Sequence, residues 1–581
     1  MILQSLVSYY EKLTQLGEIS PPGWGDVKVS YALEVDDDGA LKRVICLKTE
    51  QQRGKKTVLL PQILSLPAPV KRTVGISPNF LCDNSSYFLG IDAKGKPKRS
   101  AECFEASAAL HLRLLGELDT PAARAVCRFF ENWKPAEAAS HPALQDALED
   151  ILTGGNLLFW YQGAYVHEEA SIRQAWERHY NANDSGAETG ICLVTGRTEP
   201  IESVHPALKG VQGAQSSGAA LISFNAPAFC SYGKEQNLNA PVGKYAAFAY
   251  TTALNHLLAD RDRVARVGDA TVVCWAESGE SSYQDLMDAF AFDTPSPYSA
   301  DELRQTVQSL CDGQQVLFDE SRLDPEMKFC ILGLSPNAAR LSVRFFLRNT
   351  FGFLLRNVME HHERLRIVRP SYDKFETIPL WKLLDETVNQ NSKNKAPVPN
   401  LAGETLRAIL NNTPYPAQLL SGVNLRIRAE SEITRGRAAI IKAYYLKNPH
   451  HSIPEEVLTV SLNSESTNIP YTLGRLFSVL EAIQSSANPT LNATIKDRYF
   501  NAASATPAHV FPTLINLAQK HLKKLDGGLA VHYDRQLTDL MGRLEETYPA
   551  HLSIPQQGAF QLGYYHQTQD RYTSKKNKEE N

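Results

Sequence analysis

Nowhere in this 581-residue chain do eighteen apolar residues follow one another, so no stretch has the length of a membrane-spanning helix. Cysteine pairs at metal or redox spacing are missing as well. The nine cysteines, at positions 46, 82, 103, 127, 192, 230, 274, 311 and 330, are scattered and odd in number, with no Cys-x-x-Cys and no Cys/His cluster at zinc spacing. Reduced thiols are expected, and with them a cytoplasmic, unanchored chain. There is no Walker loop, no dinucleotide fingerprint, no His-Glu-x-x-His and no paired His-Asp metal signature. No cofactor, metal or catalytic residue is therefore predicted. A surplus of one charge is absent from the total: 60 Lys and Arg stand against 64 Asp and Glu, a net charge of -4.

The charge is nonetheless segregated. Residues 331–450 carry 18 Lys and Arg against 9 Asp and Glu, leaving 42 against 55 for the rest. A second basic stretch, residues 50–100, holds Arg53, Lys55, Lys56, Lys71, Arg72, Lys94, Lys96, Lys98 and Arg99 against Glu50, Asp83 and Asp92. Selected surfaces that meet a polyanion produce this distribution, and so do solvated lysine-rich loops.

The length allows three or four domains. Ile2, Leu6, Tyr9, Tyr10, Leu13 and Leu16 recur at helical spacing, and Gly17 suits a helix terminator. Residues 29–35 and 41–48 read as strands around an Asp-Asp-Asp-Gly turn, and 57–63 as a third. Helices are expected at 106–118, 122–132, 145–152 and 172–180, and strands at 191–194, 219–224 and 270–276. From Leu334 helical periodicity takes over, with Ser335 as a cap and Pro336 as the first helical residue. Helices follow at 471–485, 491–503, 510–525, 532–548 and 556–572; 391–400 and 447–454 read as linkers and 573–581 as an unordered tail. The expected class is α+β: residues 1–120 and 121–334 form a mixed body, 335–450 a basic helical region, and 455–581 a C-terminal helical bundle.

Three features carry candidate chemistry. Ala214-Gln215-Ser216-Ser217-Gly218 comes within one residue of a nucleophile elbow, but the expected strand follows the serines instead of preceding them, which favours a loop. His361-His362-Glu363 reads as a polar helix surface, because adjacent residues on a helix diverge by about 100°. Arg340, Arg344 and Arg348, at i, i+4 and i+8, form a stripe on a helix that suits a phosphate backbone, with salt bridges or a solvated face as the alternative. Between Lys71 and Ser85, Gly75 and Pro78 break regular structure, and Lys71, Arg72, Asn79, Asn84 and Ser85 offer hydrogen-bond donors to phosphates or base edges; a plain surface turn fits the same residues.

The strings KRTVGISPNFLCDNSSYFLGID (71–92), CLVTG (192–196), HPALKGVQGAQSSGAALISFNAPAFCSYGKEQNLNAPVGKYAAFAYTTALN (205–255), LSPNAARLSVRFF (334–346) and FQLGYYHQ (560–567) occur in that order. Together they make the sequence similar to the large subunit of the type I-C CRISPR surveillance complex, Cascade. Residues 261–325 and the tail beyond 570 carry little of the resemblance.

The resemblance implies a noncatalytic subunit of a guide-RNA complex that recognises the protospacer-adjacent motif in duplex DNA, promotes R-loop formation, holds the displaced strand and recruits a separate helicase-nuclease. The implied partners are the guide crRNA, double-stranded target DNA and its displaced strand, the backbone, small and handle-binding subunits of the complex, and the helicase-nuclease. The loop carried over makes Asn79 and Asn84 the base-edge contacts and Lys71, Arg72 and Thr73 the phosphate contacts. Lys55, Lys56, Arg340, Arg344 and Arg348 are expected along a nucleic-acid backbone, and Gln215, Ser216 and Ser217 against a subunit or nucleic acid. The resemblance also makes 455–581 similar to the small subunit. A separate product would need a nonstandard start codon near Val457 or Val460, since no methionine lies between Met359 and Met541. The alternatives are a hydrolase or nuclease around Ser216 or His361, and a purely architectural subunit.

Overall fold

The computed structural model describes residues 1–53, 56–70, 75–93, 97–182, 188–393, 395–398, 400–448 and 453–579. The chain folds into two compact units, one of residues 3–206 and 222–253, the other of 207–221 and 254–581. Both mix helix and strand, which bears out the α+β class. Among the described residues no helix is long and apolar enough to cross a membrane.

The first unit opens with α1 (Ile2–Leu16), closed by Gly17 in the left-handed region. Its main sheet is built on the long strand β1 (Trp24–Val35). The second half of β1 pairs antiparallel with β2 (Leu41–Cys46), while a hairpin of β3 (Thr49–Arg53) and β4 (Lys56–Leu60) leads to β5 (Gln62–Pro67), which pairs with the first half. The other edge of β1 pairs in parallel with β7 (Asn156–Tyr161), which also takes the short β6 (Cys82–Asp83) and β8 (Ala164–Tyr165). The β1–β7 register slips between Val29 and Tyr31. A slip by one residue exchanges the two faces of a strand. Val27, Val29 and Ala32 therefore pack on one side, and Tyr31, Leu33 and Val35 on the other. On the second side lie α2 (Ser85–Phe88), α3 (Pro97–Leu115), α4 (Pro121–Asn132) and α5 (Leu148–Thr153), which contribute Phe88, Phe104, Val126, Phe129 and Ile151. Next come α6 (Ala170–Ala182), the two-stranded β9 (Thr189–Ile191) and β10 (Thr198–Pro200), and α7 (Lys244–Ala259), of which residues up to 253 belong here.

The second unit centres on an antiparallel sheet in the order β11 (Ala265–Val267), β12 (Ala270–Ala276), β15 (Lys328–Asn337), β16 (Arg340–Thr350). Between β12 and β15 run α8 (Ser282–Ala291), α9 (Ala300–Cys311) and the hairpin β13 (Val316–Phe318)–β14 (Ser321–Leu323). The helices that follow are α10 (Phe351–Leu365), α11 (Leu380–Asp385), α12 (Leu401–Leu410), α13 (Ala417–Glu430) and α14 (Arg435–Lys447). The last five are α15 (Ile469–Ala487), α16 (Ile495–Ala505), α17 (Pro507–Leu522), α18 (Gly527–Gly542) and α19 (Ile554–Glu579).

Several sequence expectations are corrected. The helix expected from Ser335 is the β15–β16 hairpin, turning at Ala338, whose φ is +53°. The apolar run Phe329–Leu334 is buried on both faces of the sheet, and β16 carries Val343, Phe345 and Phe346, residues that fit a pleated surface. Residues 219–224 form no strand, only an Ala219–Leu208 bridge and an Ala220–Arg340 bridge. The tail expected to be unordered continues α19 through Glu579.

The helical end is fastened where α15 crosses α19. A Cβ on Gly474 would stand 1.9 Å from the Phe560 carbonyl oxygen, and one on Gly563 2.1 Å from that of Tyr471. Both helices approach backbone to backbone. Polar pairs then line the seam: the Tyr471 hydroxyl lies 2.9 Å from His566 Nδ1, Arg475 Nε donates to Gln567 at 3.0 Å, and the Tyr564 hydroxyl donates to Glu481 at 2.6 Å. Gly474→Ala or Gly563→Ala forces backbone apart and should cost about 3 kcal/mol in denaturant unfolding. Gly542→Ala, where a Cβ meets nothing within 4 Å, should change stability by under about 1 kcal/mol.

Candidate nucleic-acid interface

In the first unit the segment joining β5 to β6 ends on a buried carboxylate. Asp83, 1% exposed, accepts from the backbone N–H of Asn79 at 2.8 Å through one oxygen and from that of Asn84 at 2.8 Å through the other. The two asparagines are thus held on either side of one residue. The Asn79 side chain accepts from the Val70 N–H at 2.9 Å. Asn84 caps α2 by accepting from the Ser86 N–H at 3.0 Å. A backbone N–H can only donate, so the carboxamide oxygen of each asparagine faces the protein. Neither side-chain NH2 has a hydrogen bond among the described residues, and both residues are half-buried.

An aromatic stack seats the same loop. Phe80 lies between His111, at 5.2 Å, and Trp176, at 5.4 Å, both rings nearly parallel to it. Leu81, at φ +57°, donates its N–H to His111 Nε2 at 2.8 Å. The other ring nitrogen, Nδ1, lies 2.7 Å from the Ser107 carbonyl and must donate to it, so His111 is a neutral imidazole. Burial pushes its pKa down to about 4, with the Ser107 bond opposing. Exposed cations stand around this frame: Lys98, Arg99, which donates to the Gly75 carbonyl at 3.0 Å, and Arg113. A cleft of about 1310 Å³ opens beside it, with Val70, Ser77, Pro78, Arg113, Tyr180 and Lys244 among its walls. The cleft walls also carry Glu177, Glu199 and Glu202, so the charges that suit a polyanionic ligand are those of Lys98, Arg99 and Arg113 on the frame itself.

Lys55, Lys71, Arg72 and Thr73 lie outside the described residues; Lys56 begins β4. In the second unit, the three arginines do not form a stripe. On β16 Arg348 lies opposite Cys330 and Arg340 opposite Asn337, and Arg344 is the extra residue of a bulge, so alternation puts Arg340 and Arg348 on opposite faces. Arg344 pairs with Asp269 at 2.6 Å and Arg348 with Glu277 at 2.5 Å. The salt-bridge alternative describes these two residues. The His361-His362 pair is not a polar surface: His361 is buried against the Tyr415 hydroxyl at 2.7 Å, and burial holds its pKa well below the usual value.

Gln215, Ser216 and Ser217 are exposed at the tip of a loop whose base is closed by paired Leu208–Ala219 hydrogen bonds of 2.9 and 2.8 Å. Gly218 sits there at φ +100°, where a Cβ would come within 2.9 Å of Ala207 and Leu208. Sequence reasoning missed Asp83, His111 and Trp176 as the frame of the asparagine loop. Only the position of Asp83 between the two asparagines hinted at it.

Because His111 is neutral when folded and titrates near 6.5 when unfolded, the unfolded chain binds the extra proton between those values. The contribution is complete above pH 6.5 and lost as pH falls towards 4. His111→Phe should flatten this part of the acid destabilisation in thermal melts across pH. At neutral pH it should cost about 1–3 kcal/mol, because the Leu81 N–H loses its acceptor.

The geometry can be set beside known proteins. Among curated proteins none matches. A family model described as CRISPR-associated protein (Cas_Csd1) matches residues 6–572, nearly the whole chain. The protein therefore belongs to this family of CRISPR-associated proteins and is a subunit of Cascade type.

Proposed function

We propose that the protein is the large subunit of a type I-C guide-RNA complex and reads the short motif flanking a DNA target. It is noncatalytic in this reading. The observation that carries it is the paired asparagines: their oxygens are committed to the protein's own backbone, which leaves NH2 donors for acceptors on a base edge. Minor-groove edges present such acceptors at every pair, so this readout tolerates related motifs. Guide pairing then reads the remaining sequence, and the protein helps to open the duplex, keeps the displaced strand apart and receives the helicase-nuclease that cuts. The basic stretch at 50–100 and the exposed Lys98, Arg99 and Arg113 supply the phosphate contacts. The family match and the segregated charge support the same reading.

Asn84→Ser tests it, because serine retains a capping oxygen for α2 and removes the amide donor. In the assembled complex, discrimination between duplexes with and without the flanking motif should fall by about 1–3 kcal/mol. Thermal stability and assembly should be unchanged. Undiminished discrimination would favour a purely architectural subunit.

A further inference from the structure

The second unit carries an exposed aromatic cluster on residues 369–382, between α10 and the start of α11. Tyr372 is 82% exposed, Trp381 51% and Phe375 40%. Phe375 and Trp381 meet edge to face at 5.9 Å, and the Lys382 ammonium lies 4.3 Å above the Phe375 ring. Apolar rings of this size ordinarily turn inward. Here buried polar groups hold the backbone so that they cannot.

Arg435 reaches from α14 beneath the loop. It pairs with Asp373 at 3.1 Å and donates to the carbonyls of Phe375 at 2.5 Å and Glu376 at 2.7 Å. Asp373 in turn accepts from Lys382 and from the Phe375 N–H. Both Arg435 and the Asp373 side chain are over nine-tenths buried. The Tyr565 hydroxyl pins the entry to the loop by donating to the Val368 carbonyl at 2.7 Å. Because the aromatic residues are set in place before any ligand arrives, little ordering entropy is lost on binding.

The charge beside the rings identifies the occupant. Arg369 and Lys374 are exposed and have no acidic partner among the described residues; the exposed acids near the rings are Glu376 on the loop and Glu432, whose charge acts on the Tyr372 hydroxyl. Flat rings interleaved with unpaired cations match bases strung on phosphates. We propose that this cluster is a stacking platform for an unpaired DNA strand, with bases on Trp381 and Tyr372 and phosphates near Arg369 and Lys374. The assignment rests on the strand-opening role proposed above, and it places the unpaired strand here and not on the arginines of β16, two of which are engaged in salt bridges.

Fluorescence-anisotropy titration of the full chain with labelled oligo(dT) tests the platform. Trp381→Ala should weaken binding about 5- to 100-fold, the effect of one lost base–aromatic stack. Tyr372→Ala, which removes an almost fully exposed ring, should also weaken it, and Trp381→Phe should restore most of the affinity. A strand of the same length made of abasic sugar-phosphate should bind wild type and Trp381→Ala alike. Equal oligo(dT) affinity in folded wild type and Trp381→Ala would overturn the proposal. So would an equal loss on the abasic strand, tighter binding of oligo(rU) than oligo(dT), or loss of a protein subunit from the assembled complex with oligo(dT) affinity intact. Oligo(dT) contains no duplex flanking motif, so its affinity is read apart from motif discrimination, and failure of the platform and failure of motif reading give different results.

Discussion

A buried carboxylate that spends both oxygens on backbone donors organises the candidate interface. Asp83 is buried, where a charge without partners is costly. It is tolerated because the N–H groups of Asn79 and Asn84 satisfy it, and these bonds fix the spacing between the two asparagines. Everything proposed for motif reading follows from that spacing. The His111 ring adds a second fixed point by holding Leu81 in a backbone conformation that an unsupported leucine avoids.

The second unit solves a similar problem with the opposite charge. Arg435 is buried, and it neutralises Asp373 while binding two carbonyls of the same loop. In both cases an internal ion or ion pair is better understood as setting geometry than as adding net stability, since desolvation offsets much of the attraction. Polar groups point inward to hold the backbone, and the exposed groups are left for a ligand. A purely apolar core fastens helices and sheets well, but it offers loops no directional bonds.

The arginines at 340, 344 and 348 show how a spacing argument can fail. Residues four apart share a face on a helix, and they also share one on a regular strand, so the interval does not tell the two apart. The burial of Phe329–Leu334 on both faces decided for a strand, and the bulge at Arg344 then separated the outer two arginines. Likewise His361-His362 looks polar as a string, but the Tyr415 hydroxyl lies close enough to satisfy a buried imidazole.

By itself the sequence determined the α+β class, the helical character of the C-terminal part, the segregation of basic charge and the family, because composition, periodicity and ordered strings are properties of the chain read in one dimension. It also marked Asn79 and Asn84, since Gly75 and Pro78 announce an irregular loop rich in donors. Only tertiary structure decided which atoms of those asparagines bond to the backbone, that Asp83, His111 and Trp176 frame them, and that Tyr372 and Trp381 stay at the surface. Each of these depends on partners distant in sequence, such as Leu81 with His111 or Asp373 with Arg435, and on directional hydrogen bonds whose ends no local pattern brings together.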